Sequence, residues 1–282
     1  NRNKANIPGE VIAAIIEGSN AFVEKMRALG VNIHFTGGET ADLGDAVRTV
    51  TVDASIAVRM KQEDLILTQN IKPGLVIVGF ASDGQATYEE EYNSGISSNG
   101  LTSARHDLLS KYYAENYPET YEPSLNPAIV YCGSKRVTDT LEGTPLNIGK
   151  ALLSPTRTFA PIIMQMQKEL RGQIKGIINN TGGSQTKVMH YVEDVRIVKN
   201  NLLPIPPLFE LIQRESNTDW KEMFKVLNCG TRMEVYIEEQ HAQQIIAIAK
   251  SFGVHADVIG YTEAHQGVEV KVQSAFGEFI YA

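Results

Sequence analysis

The clearest periodicity in the chain lies at residues 49–60. Val50, Val52, Ala54, Ile56, Val58 and Met60 alternate with Thr49, Thr51, Asp53, Ser55, Ala57 and Arg59. A period of two sends successive side chains to opposite faces, so a strand with one apolar and one mainly polar face is predicted. Residues 75–81 (LVIVGFA) form a continuous apolar run and read as a more buried strand. At residues 8–29 the apolar positions Val11, Ile15, Phe22 and Met26 fall at spacings of four and seven, which places them on one helical face. Pro8 suits the first turn of that helix, and Gly30 suits its stop. Ala242, Ile245, Ile246, Ala249 and Phe252 mark a second amphipathic helix.

The rest of the pattern gives shorter elements. Helices are predicted at 102–113, 155–170, 208–213 and 219–224. Strands are predicted at 32–36, 173–178, 233–237, 258–261, 268–272 and 276–280, and 192–198 reads as extended. Residues 83–100 read as a polar loop whose patch Glu89, Glu90, Glu91 is a solvated surface. Turn residues crowd 118–145, so a boundary is placed at 144–149, giving domains 1–146 and 147–282. Both halves mix helices with strands that favour antiparallel pairing. The expected fold class is therefore α+β (mixed α/β) with two domains.

Composition narrows the function classes. The 282 residues are 43% hydrophobic and 21% charged, with a formal net charge of -7. That describes a globular chain and a poor general binder of nucleic acid, which needs a basic face. No apolar run approaches the roughly 20 residues of a membrane span. No signal-peptide pattern opens the chain, so a cytoplasmic location is expected. Cys132 and Cys229 read as buried thiols rather than as a disulfide framework or metal site. The six histidines lack metal-ligand spacing, and a Gly-x-Ser-x-Gly elbow is absent, so nothing supports a zinc enzyme or a serine hydrolase. The chain starts at Asn1 and enters a helix almost at once, from which a preceding segment is expected.

Four motifs could carry chemistry. Thr36, Gly37, Gly38, Glu39, Thr40, Ala41 and Asp42 follow a predicted strand. The two glycines can offer backbone N–H groups to an anion, and Glu39 and Asp42 are oxygen ligands suited to Mg²⁺. The same residues also read as a turn with a Thr36/Glu39 capping box. Ser98, Asn99 and Gly100 precede a predicted helix and suit either a phosphate or a plain N-cap. Leu153, Ser154, Pro155, Thr156 and Arg157 read as the start of a helix, with Ser154 as N-cap and Pro155 first. Arg157 in a first turn opposes the helix dipole and asks for an anion, from a ligand or from a buried carboxylate. Asn179, Asn180, Thr181, Gly182, Gly183 and Ser184, with Lys187 behind them, form a polar glycine loop. It lacks P-loop spacing and also reads as an ordinary hairpin loop.

Taken in order, Gly-Gly-Glu-Thr-Ala, Ser-Asn-Gly, Leu-Ser-Pro-Thr-Arg and Thr-Gly-Gly resemble the aminoimidazole ribonucleotide synthetase (phosphoribosylformylglycinamidine cyclo-ligase) family across almost the whole chain. The resemblance implies two α/β domains, with the N-terminal domains of a homodimer building a shared β-barrel. It implies ATP, Mg²⁺ and formylglycinamidine ribonucleotide as ligands, and ring closure to aminoimidazole ribonucleotide in purine biosynthesis. By motif, Gly37, Gly38, Glu39 and Thr40 would face nucleotide phosphate or metal, and Asp42 would join Glu39 at the metal. Ser98, Asn99 and Gly100 would hold substrate phosphate or ribose. Thr156 and Arg157 would line the catalytic cleft, and Thr181, Gly182 and Gly183 would contact phosphate. The chain departs from the family in several places. An Asp-Gly-Val-Gly-Thr-Lys segment is not in the sequence, Asn179 and Asn180 stand near the usual His, Ser184 replaces a third glycine, and the 84–97 loop is long. These mark a divergent branch. A sister small-molecule kinase or amidotransferase, or a non-catalytic binding subunit, are the alternatives.

Overall fold

The apolar run at 75–81 becomes the strand on which the sheet is built. The protein is described here by a computed structural model covering residues 1–282. In chain order the elements are α1 (Gly9–Ala28), β1 (Val76–Ala81), the short ladder β2 (Asp83–Gly84) and β3 (Asn93–Ser94), and the helices α2 (Leu101–Leu108), α3 (Tyr112–Asn116), α4 (Ile148–Leu152) and α5 (Ala160–Glu169). There follow β4 (Gly176–Asn179), β5 (Val195–Lys199), α6 (Pro207–Ser216), α7 (Trp220–Val226), β6 (Thr231–Ile237), α8 (Glu239–Ser251), β7 (Ala256–Ala264), β8 (Val268–Ser274) and β9 (Gly277–Tyr281).

Seven strands form one mixed sheet in the order β4-β6-β1-β7-β5-β8-β9. Only the β5–β8 pairing is parallel. β1 has a strand on either side and a covered surface on both faces, which is why its sequence is apolar without alternation. Val78 and Phe80 pack into a core with Ile162 and Met166 of α5 and Ile245 and Ala249 of α8. Ile77 and Ala81 face the larger core, with Leu108, Ile148, Leu208 and Phe224. β5 and β7 approach so closely that a Cβ on Gly260 would fall onto the Val198 carbonyl and 2.9 Å from Lys199 Cα. Only glycine lets these two backbones meet.

The structure departs from the sequence reading in several places. Residues 32–36 and 49–60 form no strand. A strand needs a ladder partner as well as alternation, and within the chain this stretch finds only an isolated bridge between Arg2 and Val50. Ile56 and Val58 are 79% and 74% exposed. Of the face predicted for α1 only Met26 is buried, while Val11 and Phe22 stay exposed; the helix's other buried residue, Val23, lies outside that face. The helix predicted at 102–113 breaks into α2 and α3, because Leu109 leaves the helix in an extended conformation. The division at 146 cuts across the sheet, because β1 lies between β6 and β7. Cys132 is exposed and only Cys229 is buried, where desolvation pushes its thiol up.

Gly260→Ala is expected to destabilise the fold by ~3 kcal/mol, since both opposing atoms belong to backbone that cannot move aside. Urea denaturation followed by circular dichroism reads the change.

Candidate active site

Three of the four motifs converge where β1 and β4 end and β6 begins. Asn93 Nδ2 donates to Pro155 O (2.8 Å), Ser94 N to Ser154 Oγ (3.1 Å) and Ser94 Oγ to Ala151 O (2.7 Å). These bonds fasten the loop leading to Ser98, Asn99 and Gly100 onto the Leu-Ser-Pro-Thr-Arg segment. Gly182 in turn lies against Asn99, since a Cβ there would sit 2.8 Å from Asn99 Nδ2. Ser98 and Asn99 are exposed at this junction. Neither caps α2 with its side chain. The N-cap is Gly100, in a left-handed conformation (φ 77°).

Arg157 is buried and fully committed. Its Nε donates to Glu89 Oε1 (2.9 Å), and its Nη2 to Glu89 Oε2 (2.7 Å) and Gly84 O (3.0 Å). Its Nη1 donates to Ala81 O (3.0 Å) and Asp83 O (2.9 Å). A guanidinium has five N–H donors, and all are used. The anion that Arg157 called for is therefore Glu89, and no donor is left for a ligand. Glu89 correspondingly is not part of a solvated patch; Glu90 and Glu91 are, paired with Lys25 and Lys150. α5 begins at Ala160, with Pro161 in its first turn, so Ser154 and Pro155 do not start it. Thr156 is exposed beside the clamp.

The 181–184 loop is not a hairpin. It turns through Gly183 (φ 83°) and Ser184 (φ 42°) into a 3₁₀ helix, Ser184–Tyr191. Ser184 holds a left-handed conformation that glycine would adopt without strain. Lys187 folds back so that its Nζ donates to Thr181 Oγ1 at 2.5 Å.

Beneath this loop lies a buried polar network that the sequence reading missed. Lys199 and Glu234 form a fully buried ion pair. Lys199 Nζ also donates to Gln185 O (2.7 Å) and Gln185 Oε1 (3.1 Å). Tyr236 OH and Asn180 Nδ2 both donate to the Glu234 carboxylate at 2.7 Å. Gln185 Nε2 donates to Asn228 O (2.7 Å), and Asn228 Nδ2 to Gly95 O (2.9 Å). Desolvation lowers the Lys199 pKa and raises that of Tyr236; the Glu234 charge opposes the first shift and adds to the second. One signal was available in β6: Arg232, Glu234 and Tyr236 alternate with apolar Met233, Val235 and Ile237, so polar groups fill one inward face.

The first motif stays apart from the other three. Residues 36–40 are exposed, and no helix follows Thr36, so the capping box does not form. The amides of Gly37, Gly38, Glu39 and Thr40 donate no hydrogen bond within the chain. Asp42 accepts from Lys4 N (3.1 Å) and pairs with Lys4 Nζ (3.2 Å), contacts that hold its carboxyl below the usual range. No group of three or more His, Cys, Asp or Glu is placed to hold a metal ion.

Comparison with known proteins bears on the whole arrangement. A family model described as "AIR synthase related protein, C-terminal domain" matches residues 161–273. The chain is 31% identical over 232 residues to the phosphoribosylformylglycinamidine cyclo-ligase of Methanococcus vannielii, covering 82% of this chain and 56% of that protein. It is 29% identical to the same enzyme of Methanocaldococcus jannaschii, covering 81% and 56%. For Methanopyrus kandleri the values are 28% identity, 93% and 65%. The chain thus spans little more than half the length of the first two relatives. A crystal structure of the E. coli hydrogenase maturation protein HypE aligns at 14% identity with a TM-score of 0.39, over 76% of this chain and 51% of that one. The resemblance to the aminoimidazole ribonucleotide synthetase family, read from four short motifs, holds over four-fifths of the sequence.

Lys199→Met is expected to cost about 3–5 kcal/mol, because it strands a buried carboxylate. The double variant Lys199→Met/Glu234→Leu should recover most of that loss. Chemical denaturation of both proteins measures the difference.

Proposed function

We propose that the chain supplies part of the active site of an ATP-dependent cyclo-ligase, which closes formylglycinamidine ribonucleotide to aminoimidazole ribonucleotide. The observation that carries the reading is the similarity to curated cyclo-ligases over some 80% of the chain. The meeting of Asn99 with Gly182 fits it, because two motifs 83 positions apart then face one ligand.

In this reaction the γ-phosphoryl group of ATP passes to the formyl oxygen. A substrate nitrogen then attacks the activated carbon, and the oxygen leaves with phosphate. Such chemistry rests on positioning and on neutralising phosphate charge. Thr181, Gly182 and Gly183 would contact a phosphate through a loop held from below by Gln185 and Asn180. Ser98, Asn99 and Gly100 would hold the substrate's phosphate or ribose at the same junction. Gly37, Gly38, Glu39 and Thr40, with their unused amides, would meet nucleotide phosphate. Thr156 would line the cleft, and Arg157 would fix the shape of the loop beside it. Mg²⁺ would accompany the nucleotide, but Asp42 is already held by Lys4 and no step here depends on it.

The reading also includes a homodimer and a location in the cytoplasm. The exposed side chains of Val52, Ile56 and Val58 alternate along a segment whose backbone has no ladder partner within the chain, and a second copy would provide one. We place the domain division before β1, in residues 61–75, so that the sheet remains whole.

The native protein carrying this chain, given Mg²⁺-ATP and formylglycinamidine ribonucleotide, should yield ADP and the aminoimidazole product in equal amounts. ADP without ring closure would point to a sister kinase, and neither product would sink the reading. Ile56→Lys should convert a dimer to monomers in sedimentation velocity; an unchanged dimer would remove 49–60 from the interface.

A further inference from the structure

Two buried cations stand against a single buried carboxylate at this end of the sheet. Lys199, Arg232 and Glu234 are each no more than 1% exposed. Lys199 Nζ donates to three acceptors, Glu234 Oε1, Gln185 O and Gln185 Oε1, and needs all three protons of an ammonium to do so. It therefore stays charged and takes up Glu234, whose remaining contacts are with Asn180 and Tyr236. Arg232 is left without a counter-charge. Its Nη1 donates to Asn180 O at 3.0 Å, while Nη2 is buried with no partner. Desolvation lowers its pKa to about 10, which still leaves it protonated at neutral pH. A buried charge is normally paired, so this one calls for an anion.

The adjoining segments carry groups of matching chemistry. The hydroxyls of Ser82, Ser184 and Thr231 are also buried without partners. Ser82 follows β1, and its N–H donates to Gly230 O (2.9 Å), two residues before Arg232. Thr231 is the neighbour of Arg232 on β6, and Ser184 ends the glycine loop that Asn180 begins. Asn180 Nδ2 donates to Thr231 O at 3.1 Å, which ties that loop to the same strand end. The two N–H donors of Arg232 Nη2 and three hydroxyls are thus unmatched, on segments that meet at one place. The unpartnered acceptor among them, Asn180 Oδ1, can take the proton of a singly protonated phosphate.

We propose that Arg232, with Ser82, Ser184 and Thr231, forms the floor of a subsite for a phosphoryl oxyanion beneath the 181–184 loop. The inference deepens the reading of Thr181, Gly182 and Gly183 as a phosphate loop and rests on it. The oxyanion is either the phosphate monoester of a sugar phosphate or free inorganic phosphate, and binding measurements separate the two.

Isothermal titration of inorganic phosphate and of ribose 5-phosphate into the native protein and into Arg232→Met tests the proposal. At least one of the two should bind the unmodified protein, and Arg232→Met should weaken that binding tenfold or more. The ligand-free variant should melt no lower than the parent, because relief of an uncompensated buried charge offsets the lost bond to Asn180 O. Tighter binding of the ester assigns the subsite to the substrate's phosphate, and tighter binding of inorganic phosphate assigns it to the group released in the reaction. Arg232→Gln, which keeps a donor for Asn180 O, should behave in the same way and carries the test if Arg232→Met does not fold. Equal affinity in parent and variant, no binding of either anion to the parent, or a lower melting point with unchanged affinity would each overturn the proposal. Ring closure is assayed separately. Turnover with phosphate binding indifferent to Arg232 removes the subsite alone, and Arg232-dependent binding without turnover removes the cyclo-ligase reading alone.

Discussion

The interaction on which the site depends is the ion pair between Lys199 and Glu234, buried inside the sheet. Two charges removed from water are tolerated only when every donor and acceptor is matched. That demand recruits Gln185 and Asn180 at opposite ends of the glycine loop, and Gln185 recruits Asn228 and through it the carbonyl of Gly95. An apolar pair of similar volume would stabilise the strands nearly as well. It would not specify where the loops above them lie. The charge is thus spent on geometry rather than on stability.

Arg157 and Glu89 do the same on the other wall. The guanidinium gathers the carbonyls of Ala81, Asp83 and Gly84 and both oxygens of Glu89, and so fixes the chain as it leaves β1. Both walls of the candidate site are therefore held by buried pairs in which the acid and the base come from distant parts of the sequence. Positioning of this kind suits a reaction in which little covalent chemistry is asked of the protein.

Much of the fold could be read from the sequence, and the exceptions share a cause. β1, β6, α8 and the closing strands matched their periodicity, because the elements they pair with or pack against lie within the chain. The alternation at 49–60 was equally regular, yet local pattern carries no information about whether a ladder partner exists. The order of the four motifs pointed to a family, but only the folded chain shows that Asn99 reaches Gly182 and that Gly37 joins neither. Arg157 was legible as a charge in need of an anion. Its partner was not, because Glu89 looked like one of three equivalent surface acids. The start of α5 was misplaced because Pro155 and Pro161 are equally suited to a first turn. Lys199 and Arg232 fell just outside the segments read at 192–198 and 233–237, and Glu234 was passed over within the second, although charges on an inward face are the mark of a network.

The position of β1 in the sheet has a consequence for the order of events during synthesis. Its neighbours are β6 and β7, which begin at Thr231 and Ala256. The most continuously apolar strand of the chain thus leaves the ribosome long before either partner exists. Closing those loops is entropically slow, and until they close the strand offers two bare edges to any other chain. The last quarter of the sequence acts as the fold's completing clasp, and a nascent chain stopped before it would carry an open template for aggregation or a landing site for a chaperone.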